Sequence, residues 1–290
     1  MRQYDILFLD LDDTLLAPDH ITVSQRNRAA LQAAKNRGVR LAVSSGRCLK
    51  LIPSQIWNCD FSYAITSNGG AIYDLPSKRA IGGFSMSPSL AILAWELLRP
   101  EEEMIEWFVN GGILLDRESA FRAAGHEMPP WHCSWLNNDP EMMAQAFDAF
   151  HFAGLPGLEK INLTHWNCEA VSRARAALEA TGLFALSNSV GRGRSLEINM
   201  AGCSKGAAIR WLCENTGFSL SRTAAFGDGD NDIEMLQTVG CGVAMGNASK
   251  DARRAADAVT LPSDQDGVAV WIEREILSRE ESCPPAQNAK

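Results

Sequence analysis

Oxygen-bearing residues close three short apolar runs that lie far apart in this chain, and that recurrence constrains the fold more than any single segment does. The stretches are Leu9-Asp10-Leu11-Asp12-Asp13-Thr14-Leu15, Val43-Ser44-Ser45-Gly46-Arg47 and Phe226-Gly227-Asp228-Gly229-Asp230-Asn231-Asp232. The runs that feed them, Ile6 to Leu9, Val39 to Val43 and Thr223 to Phe226, are short and rich in branched and aromatic residues. Strands buried on both faces of a parallel sheet read this way. Ligand sites in such sheets lie beyond the carboxyl ends of the strands, so the three stretches are expected to meet at a place dense in carboxylates.

Length and charge bound what that place can be. At 290 residues the chain exceeds the usual size of one hydrophobic core, so two domains are expected. With 46% hydrophobic and 21% charged residues it has ample material to pack them. A formal charge of −8 argues against a general nucleic-acid or membrane-surface binder, which needs a basic excess. The eight cysteines show no CxxC pairing, which disfavours zinc. Met1 to Asp5 runs straight into a strand-like segment without a long apolar stretch, so reduced thiols in a cytoplasmic protein are expected.

The pattern divides the chain into three parts: a core segment over 1–82, an inserted unit over 83–189, and a second core segment over 190–290. In the first, Ser24 to Arg37 reads as a helix stopped by Gly38, and Val39 to Val43 as a strand. Tyr63 to Thr66 and Ala71 to Tyr73 flank Ser67-Asn68-Gly69-Gly70 as a hairpin. In the middle, Ser87-Pro88 opens a helix to Leu98, and Ile105 to Val109 and Ile113 to Leu115 form a hairpin about Asn110-Gly111-Gly112. Asp139-Pro140 caps a helix to Phe152, Lys160 to Thr164 reads as a strand, Cys168 to Thr181 as a helix and Phe184 to Leu186 as a strand. Strand and helix alternation then resumes from Leu196 to Asn199 onward, so the core is expected to be discontinuous.

The chemistry starts at Asp10 and Asp12. Two residues apart at a strand end, their side chains are expected to leave on the same side, close enough to share a metal ion and a phosphoryl group. One carboxylate can attack phosphorus and a second can protonate the leaving alcohol. Asp228, Asp230 and Asp232 gather more like charge, which a divalent cation offsets; magnesium suits hard oxygen donors. A calcium loop of the EF-hand kind fits poorly, because the twelfth position counted from Asp228 is Val239 and not Glu. Ser45-Gly46, after a buried strand and before an expected helix, can offer a hydroxyl and N–H groups to phosphate. Lys205 is expected to be an exposed lysine at a helix start, where the helix dipole disfavours it.

Taken in order, Asp10-Leu11-Asp12-Asp13-Thr14, Ser45-Gly46-Arg47, Lys205 and Gly227-Asp228-Gly229-Asp230-Asn231-Asp232 resemble the four motifs of the haloacid dehalogenase superfamily of phosphohydrolases. Thr66-Ser67-Asn68-Gly69, Gly202-Cys203-Ser204-Lys205-Gly206, Val243 to Ala248 and Asp266-Gly267-Val268-Ala269 resemble its Cof-like branch. The resemblance implies an α/β fold, a Rossmann-like parallel-sheet core with an inserted α+β cap. It implies Asp10 as nucleophile, Asp12 as general acid/base, and Ser45, Gly46, Lys205 and Asn231 as phosphate ligands. Magnesium is implied on the carboxylates of Asp10 and Asp228 and the backbone carbonyl of Asp12, with Asp232 behind them and Arg47 and Asn68 toward the substrate. Position 13 is Asp where the branch usually has Gly, and position 45 is Ser where Thr is common.

The expected activity is magnesium-dependent hydrolysis of small phosphorylated metabolites, sugar-phosphate-like, by a monomer or weak dimer with no nucleic-acid or membrane partner. A phosphomutase keeps the same nucleophile, and a non-catalytic phosphometabolite-binding regulator keeps only the fold. The presence of Asp10, Asp12, Lys205 and Asp228 disfavours the regulator. For the distal part of a substrate the candidates are His126, Trp131, His132, Cys133 and Trp135, which could stack on or hydrogen-bond a sugar, although large aromatics are usually packed and the favoured reading is that Trp131 and Trp135 plug the cap's own small core; His165 and Trp166 stand on the same footing. Glu280 to Lys290 reads as a frayed end.

Overall fold

A computed structural model describes residues 4–99, 104–115, 157–165, 167–188 and 194–278. The expected helix from Asp139-Pro140 to Phe152, the stretch His126 to Trp135, Trp166 and the tail from Glu280 lie outside the described residues.

The chain opens with β1 (Ile6–Leu9), a tight helical turn over Leu11–Leu15, α1 (Gln25–Asn36) and β2 (Arg40–Ser44). The Ser24 side chain caps α1 by accepting from the Asn27 N–H, and Gly38, with φ +83°, follows its end, as Ser before and Gly after a helix should. A 3-10 turn over Leu49–Leu51 leads to the one-turn α2 (Ser54–Trp57), then the hairpin β3 (Tyr63–Thr66), β4 (Ala71–Asp74) and β5 (Arg79–Gly82). After α3 (Pro88–Leu98) come β6 (Met104–Val109), β7 (Gly112–Leu115), β8 (Leu158–Thr164), α4 (Cys168–Glu179), β9 (Phe184–Ser187) and β10 (Ser195–Met200). The remainder alternates: α5 (Lys205–Thr216), β11 (Thr223–Gly227), α6 (Ile233–Thr238), β12 (Cys241–Ala244), α7 (Lys250–Ala255), β13 (Ala258–Val259) and α8 (Gly267–Ile272).

The chain falls into two compact units, one within Met1–Ala42, Pro53–Ser62 and Gly217–Lys290, the other within Val43–Ile52 and Tyr63–Thr216. In the first, β13, β12, β11 and β1 lie side by side and parallel. Ile6, Leu7, Phe8, Leu9, Ala224, Ala225, Phe226 and Val243 are fully buried, which explains why these strands read as unbroken apolar runs. Trp271 of α8 closes this core, edge-on to Phe226 with ring centroids 5.1 Å apart.

The second unit holds the β3–β4–β5 meander and an antiparallel sheet ordered β7–β6–β8–β10–β9. One face of that sheet, Ile105, Trp107, Ile161, Leu163, Leu196 and Ile198, packs against Ala91, Ala94 and Leu98 of α3 and Val171, Ala174 and Leu178 of α4. β10 corrects the sequence reading, which places Leu196 to Asn199 in the resumed core. It pairs antiparallel with β8 and β9. The reason is visible in its alternation: Leu196 and Ile198 point into the apolar core while Glu197 and Asn199 take the polar side, as in antiparallel strands with two unlike faces.

Candidate active site

In the first unit, parallel β1 and β11 end side by side, with the Asp10 N–H donating to the Phe226 carbonyl at 3.1 Å. That register brings Asp10, Asp228 and Asp232 together, with one carboxylate oxygen from each lying within 4.8 Å of the others. Asp10 and Asp232 are buried. Gly227 is required beside them, because a Cβ there meets the Asp232 side chain at 2.5 Å. Asp232 Oδ2 accepts from the N–H groups of Asp228 (2.9 Å) and Gly229 (3.0 Å), and Asp228 Oδ1 accepts from the Thr14 hydroxyl (3.1 Å). Like charges this close and this buried call for a cation, and hard oxygen donors fit magnesium. The residues present therefore fit a divalent metal.

The loop beyond β1 gives the two leading aspartates different surroundings. Asp12 has extended backbone angles and Asp13 is left-handed at φ 55°. The Asp12 carboxylate is outside the group of three and meets His20, whose Nδ1 lies 2.8 Å from Oδ1. Against an ionised carboxylate that nitrogen is the donor. His20 carries no motif signal and the sequence reading passes over it. The three acids after β11 also part company: Asp230 accepts from the Ser249 hydroxyl at 3.0 Å, leaving Asp228 and Asp232 for the cluster. Asn231 sits between them in a 3-10 turn. The loop is braced by Asn247, whose side-chain amide donates to the Asp13 carbonyl at 2.7 Å.

The second unit gathers the hydroxyl and cationic residues. Ser45, at the end of β2, is buried, and its N–H donates to the Ile65 carbonyl of β3 at 2.9 Å. A 3-10 turn follows at Leu49 and not the expected helix, so any anion held here is met by turn N–H groups without a helix dipole. The Ser67 and Asn68 N–H groups donate to the carbonyls of Arg47 (2.9 Å) and Ser45 (3.1 Å), which locks the Ser45-Gly46-Arg47 turn onto the β3–β4 turn. Arg47 itself reaches the Leu51 carbonyl at 3.0 Å.

Lys205 heads α5 and is buried, 1% exposed, against the expectation of an exposed side chain. Its burial has a local cause. The preceding turn is pressed against the β3–β4 turn: Cys203 Sγ lies 3.6 Å from the Asn68 carbonyl, and Gly69, at φ +107°, approaches the Ser204 carbonyl so closely that a Cβ would sit 2.5 Å from it. Ser45, Asn68 and Lys205 are thus assembled by packing within one unit.

Beneath that assembly runs a set of buried charges that no motif marks. Glu159 accepts from Ser67 Oγ (2.7 Å), Tyr73 OH (3.0 Å) and the Gly111 N–H (2.7 Å). Burial still pushes its carboxyl up, against those donors. Glu197 pairs with Lys160 and accepts from Asn68 (2.8 Å) and Ser187 (3.0 Å). Burial opposes its ionisation, but the ammonium and the two further donors outweigh it and hold the carboxyl below the usual range. Their only sequence signal is charge inside apolar strands. Among the described residues, Cys48, Cys59, Cys168, Cys203, Cys213 and Cys241 are not joined in disulfides, and burial pushes the Cys48 thiol up to about 12. Among the described residues, no helix is long and apolar enough to cross a membrane.

The sequence profile of the haloacid dehalogenase-like hydrolases matches residues 7–272, and the chain belongs to that family, in its Cof-like branch. It is accordingly a hydrolase. It is 32% identical over 289 residues to phosphatase YwpJ of Bacillus subtilis, covering 91% of this chain and 97% of that one. It is 26% identical over 275 residues to the 5-amino-6-(5-phospho-D-ribitylamino)uracil phosphatase YcsE of the same organism, covering 94% and 96%. Among solved structures, a haloacid dehalogenase-like hydrolase from Bacteroides thetaiotaomicron superposes with a TM-score of 0.77 at 27% identity, covering 94% of this chain and 99% of the other.

Proposed function

We propose that the chain is a magnesium-dependent phosphatase of small phosphorylated metabolites, sugar-phosphate-like, working in the cytoplasm through an aspartyl-phosphate on Asp10. The observation that carries this reading is the Asp10, Asp228 and Asp232 group at the ends of adjacent parallel strands. The name of YcsE, which specifies a phosphorylated ribityl compound, supports a small polyhydroxylated substrate.

In this reading an Asp10 carboxylate oxygen attacks phosphorus and the ester oxygen departs with a proton from Asp12. Asp12 then takes a proton from water as it attacks the aspartyl-phosphate, releasing phosphate and restoring Asp10. The His20 contact at 2.8 Å gives the Asp12 carboxylate a neighbour that can carry a proton, consistent with a role for Asp12 in proton transfer. Ser45, Gly46, Lys205 and Asn231 bind phosphoryl oxygens, and Arg47 and Asn68 line the substrate side. Asp10 and Asp228 would hold magnesium by their carboxylates and Asp12 by its backbone carbonyl, while Asp232 accepts from the Asp228 N–H and fixes that backbone. When bound, the ion neutralises charge on the phosphoryl oxygens.

Phosphate release across a panel of sugar, polyol and nucleotide monophosphates, with magnesium and with chelator, tests the proposal. Turnover of small esters that stops with chelator is expected. Full activity in chelator, or no release from any ester, overturns it.

A further inference from the structure

The Lys160–Glu197 pair is out of place as a stabilising device. Both side chains are almost wholly buried, at 3% and 10% exposure, and a buried ion pair is often no better for stability than an apolar pair of the same volume. What the pair does is local. Lys160 Nζ donates to the Gly46 carbonyl at 2.8 Å, pairs with Glu197 Oε1 and lies 4.3 Å from the centroid of the Phe108 ring, so its three N–H bonds have three directions to serve. Glu197 Oε2 holds Asn68, whose own N–H holds the Ser45 carbonyl. Gly46 lies over this pair so closely that a Cβ would stand 3.1 Å from Asn68 Oδ1 and 3.6 Å from Glu197 Oε1.

A peptide plane is rigid, so fixing the Gly46 carbonyl also fixes the N–H of Arg47 on the opposite edge. That N–H donates to Ser45 Oγ at 3.2 Å. The Ser45 hydroxyl is thereby used as an acceptor, and among the described residues nothing takes its proton, although the side chain is 1% exposed. A hydroxyl in that state is set to donate to an anionic oxygen.

We propose that Lys160, held by Glu197, is a positioning residue for the phosphate-binding turn: it clamps the Gly46 carbonyl so that the Ser45 hydroxyl presents its proton to a phosphoryl oxygen. The inference rests on the reading of Ser45 as a phosphate ligand. Because Ser45 would hold the phosphoryl group before and during displacement, loss of the clamp acts chiefly on binding, raising KM and leaving kcat much less changed.

The test uses the full chain, its best substrate from the panel, and inorganic phosphate as competitive inhibitor. Lys160→Met is expected to raise the phosphate inhibition constant and KM about tenfold or more, the scale of a charge-assisted hydrogen bond, with kcat within about threefold. In a Ser45→Ala background the same change should add less than about threefold, because it acts through that hydroxyl. Should Lys160→Met fail to fold, Lys160→Met with Glu197→Met removes both charges at similar volume and carries the same expectations. Phosphate inhibition within about twofold of the parent, or a loss undiminished in the Ser45→Ala background, overturns the positioning role. Unchanged phosphate inhibition in Ser45→Ala alone overturns the phosphate-site reading instead.

Discussion

Each of the two units buries carboxylates, and they do so in opposite ways. In the parallel-sheet unit, Asp10, Asp228 and Asp232 crowd one another at strand ends. In the antiparallel unit, Glu159 and Glu197 are interleaved with donors: Ser67, Tyr73 and a backbone N–H around one, Lys160, Asn68 and Ser187 around the other. Asp228 and Asp232 also have donors, the Thr14 hydroxyl and two backbone N–H groups, but acids gathered together store repulsion that a cation relieves, whereas acids spaced apart with donors between them make a rigid scaffold. The difference distinguishes a scaffold from a candidate reaction centre without appeal to residue type, since acids fill both.

The sharpest break of that contrast is at Asp10. If the crowded carboxylates do the chemistry, Asp10→Asn should lower kcat by about a thousandfold or more while leaving the melting temperature unchanged or raised, since one repelling charge is gone. Asp228→Asn should instead be partly rescued by excess magnesium. Steady-state kinetics across a magnesium titration, with thermal melts alongside, read both. Near-parent turnover by Asp10→Asn would end the covalent mechanism.

In the interleaved unit the expected damage is to stability, with opposite pH slopes. Glu197 is held below the usual carboxylate range, so its contribution is present above its unfolded value, about 4.3, and is lost as pH falls through the lowered folded value. Removing it leaves Lys160 buried without its partner, a cost of about 3–5 kcal/mol near neutrality. Glu159 is pushed up by burial, so its contribution is complete below the unfolded value and is lost as pH rises through the raised one. The deficit of Glu197→Gln relative to the parent should therefore widen from pH 3 to 7, and that of Glu159→Gln should narrow over the same span. Denaturant unfolding at several pH values measures both, and parallel slopes would defeat the distinction.

These particulars also mark what could be read in advance. The strands and the helices Gln25–Asn36 and Lys205–Thr216 are legible because burial on two faces writes apolar runs and burial on one writes a periodic stripe. Asp10 and Asp228 are legible because both follow such runs. The sheet that takes β10, the burial of Lys205 and the partition of Asp230 from Asp232 are not, because each depends on a contact with a segment far away in sequence or on a backbone turn that composition leaves open. The same holds for Lys160 and Glu197, which meet across β8 and β10.

Asp12→Asn refines the comparison inside the reaction centre. Its carboxylate is not one of the group of three, so the substitution should spare magnesium dependence and impair leaving-group protonation. Activity on an alkyl phosphate should fall about a hundredfold or more, and on a nitrophenyl phosphate, whose leaving group needs no proton, by much less. Equal losses on both substrates would give Asp12 another task.

The smallest effect is expected one residue further on, at Asp13, where the sequence departs from its branch. The backbone there is left-handed at φ 55°, a conformation that favours Gly and that Asp tolerates better than most residues. Its carbonyl accepts from Asn247, and its side chain is exposed. Asp13→Gly relieves the backbone but gives the unfolded chain more freedom, so the two terms offset to within about 1 kcal/mol. The carboxylate lost is not one of the three that gather, so activity should stay within about twofold of the parent. Asp13→Val, β-branched at the same φ, should lower the melting temperature more than Gly does while the charge change is identical. A large activity loss shared by both variants would mean that the Asp13 charge belongs to the crowded set after all, and the boundary between scaffold and reaction centre would have to be drawn one residue later.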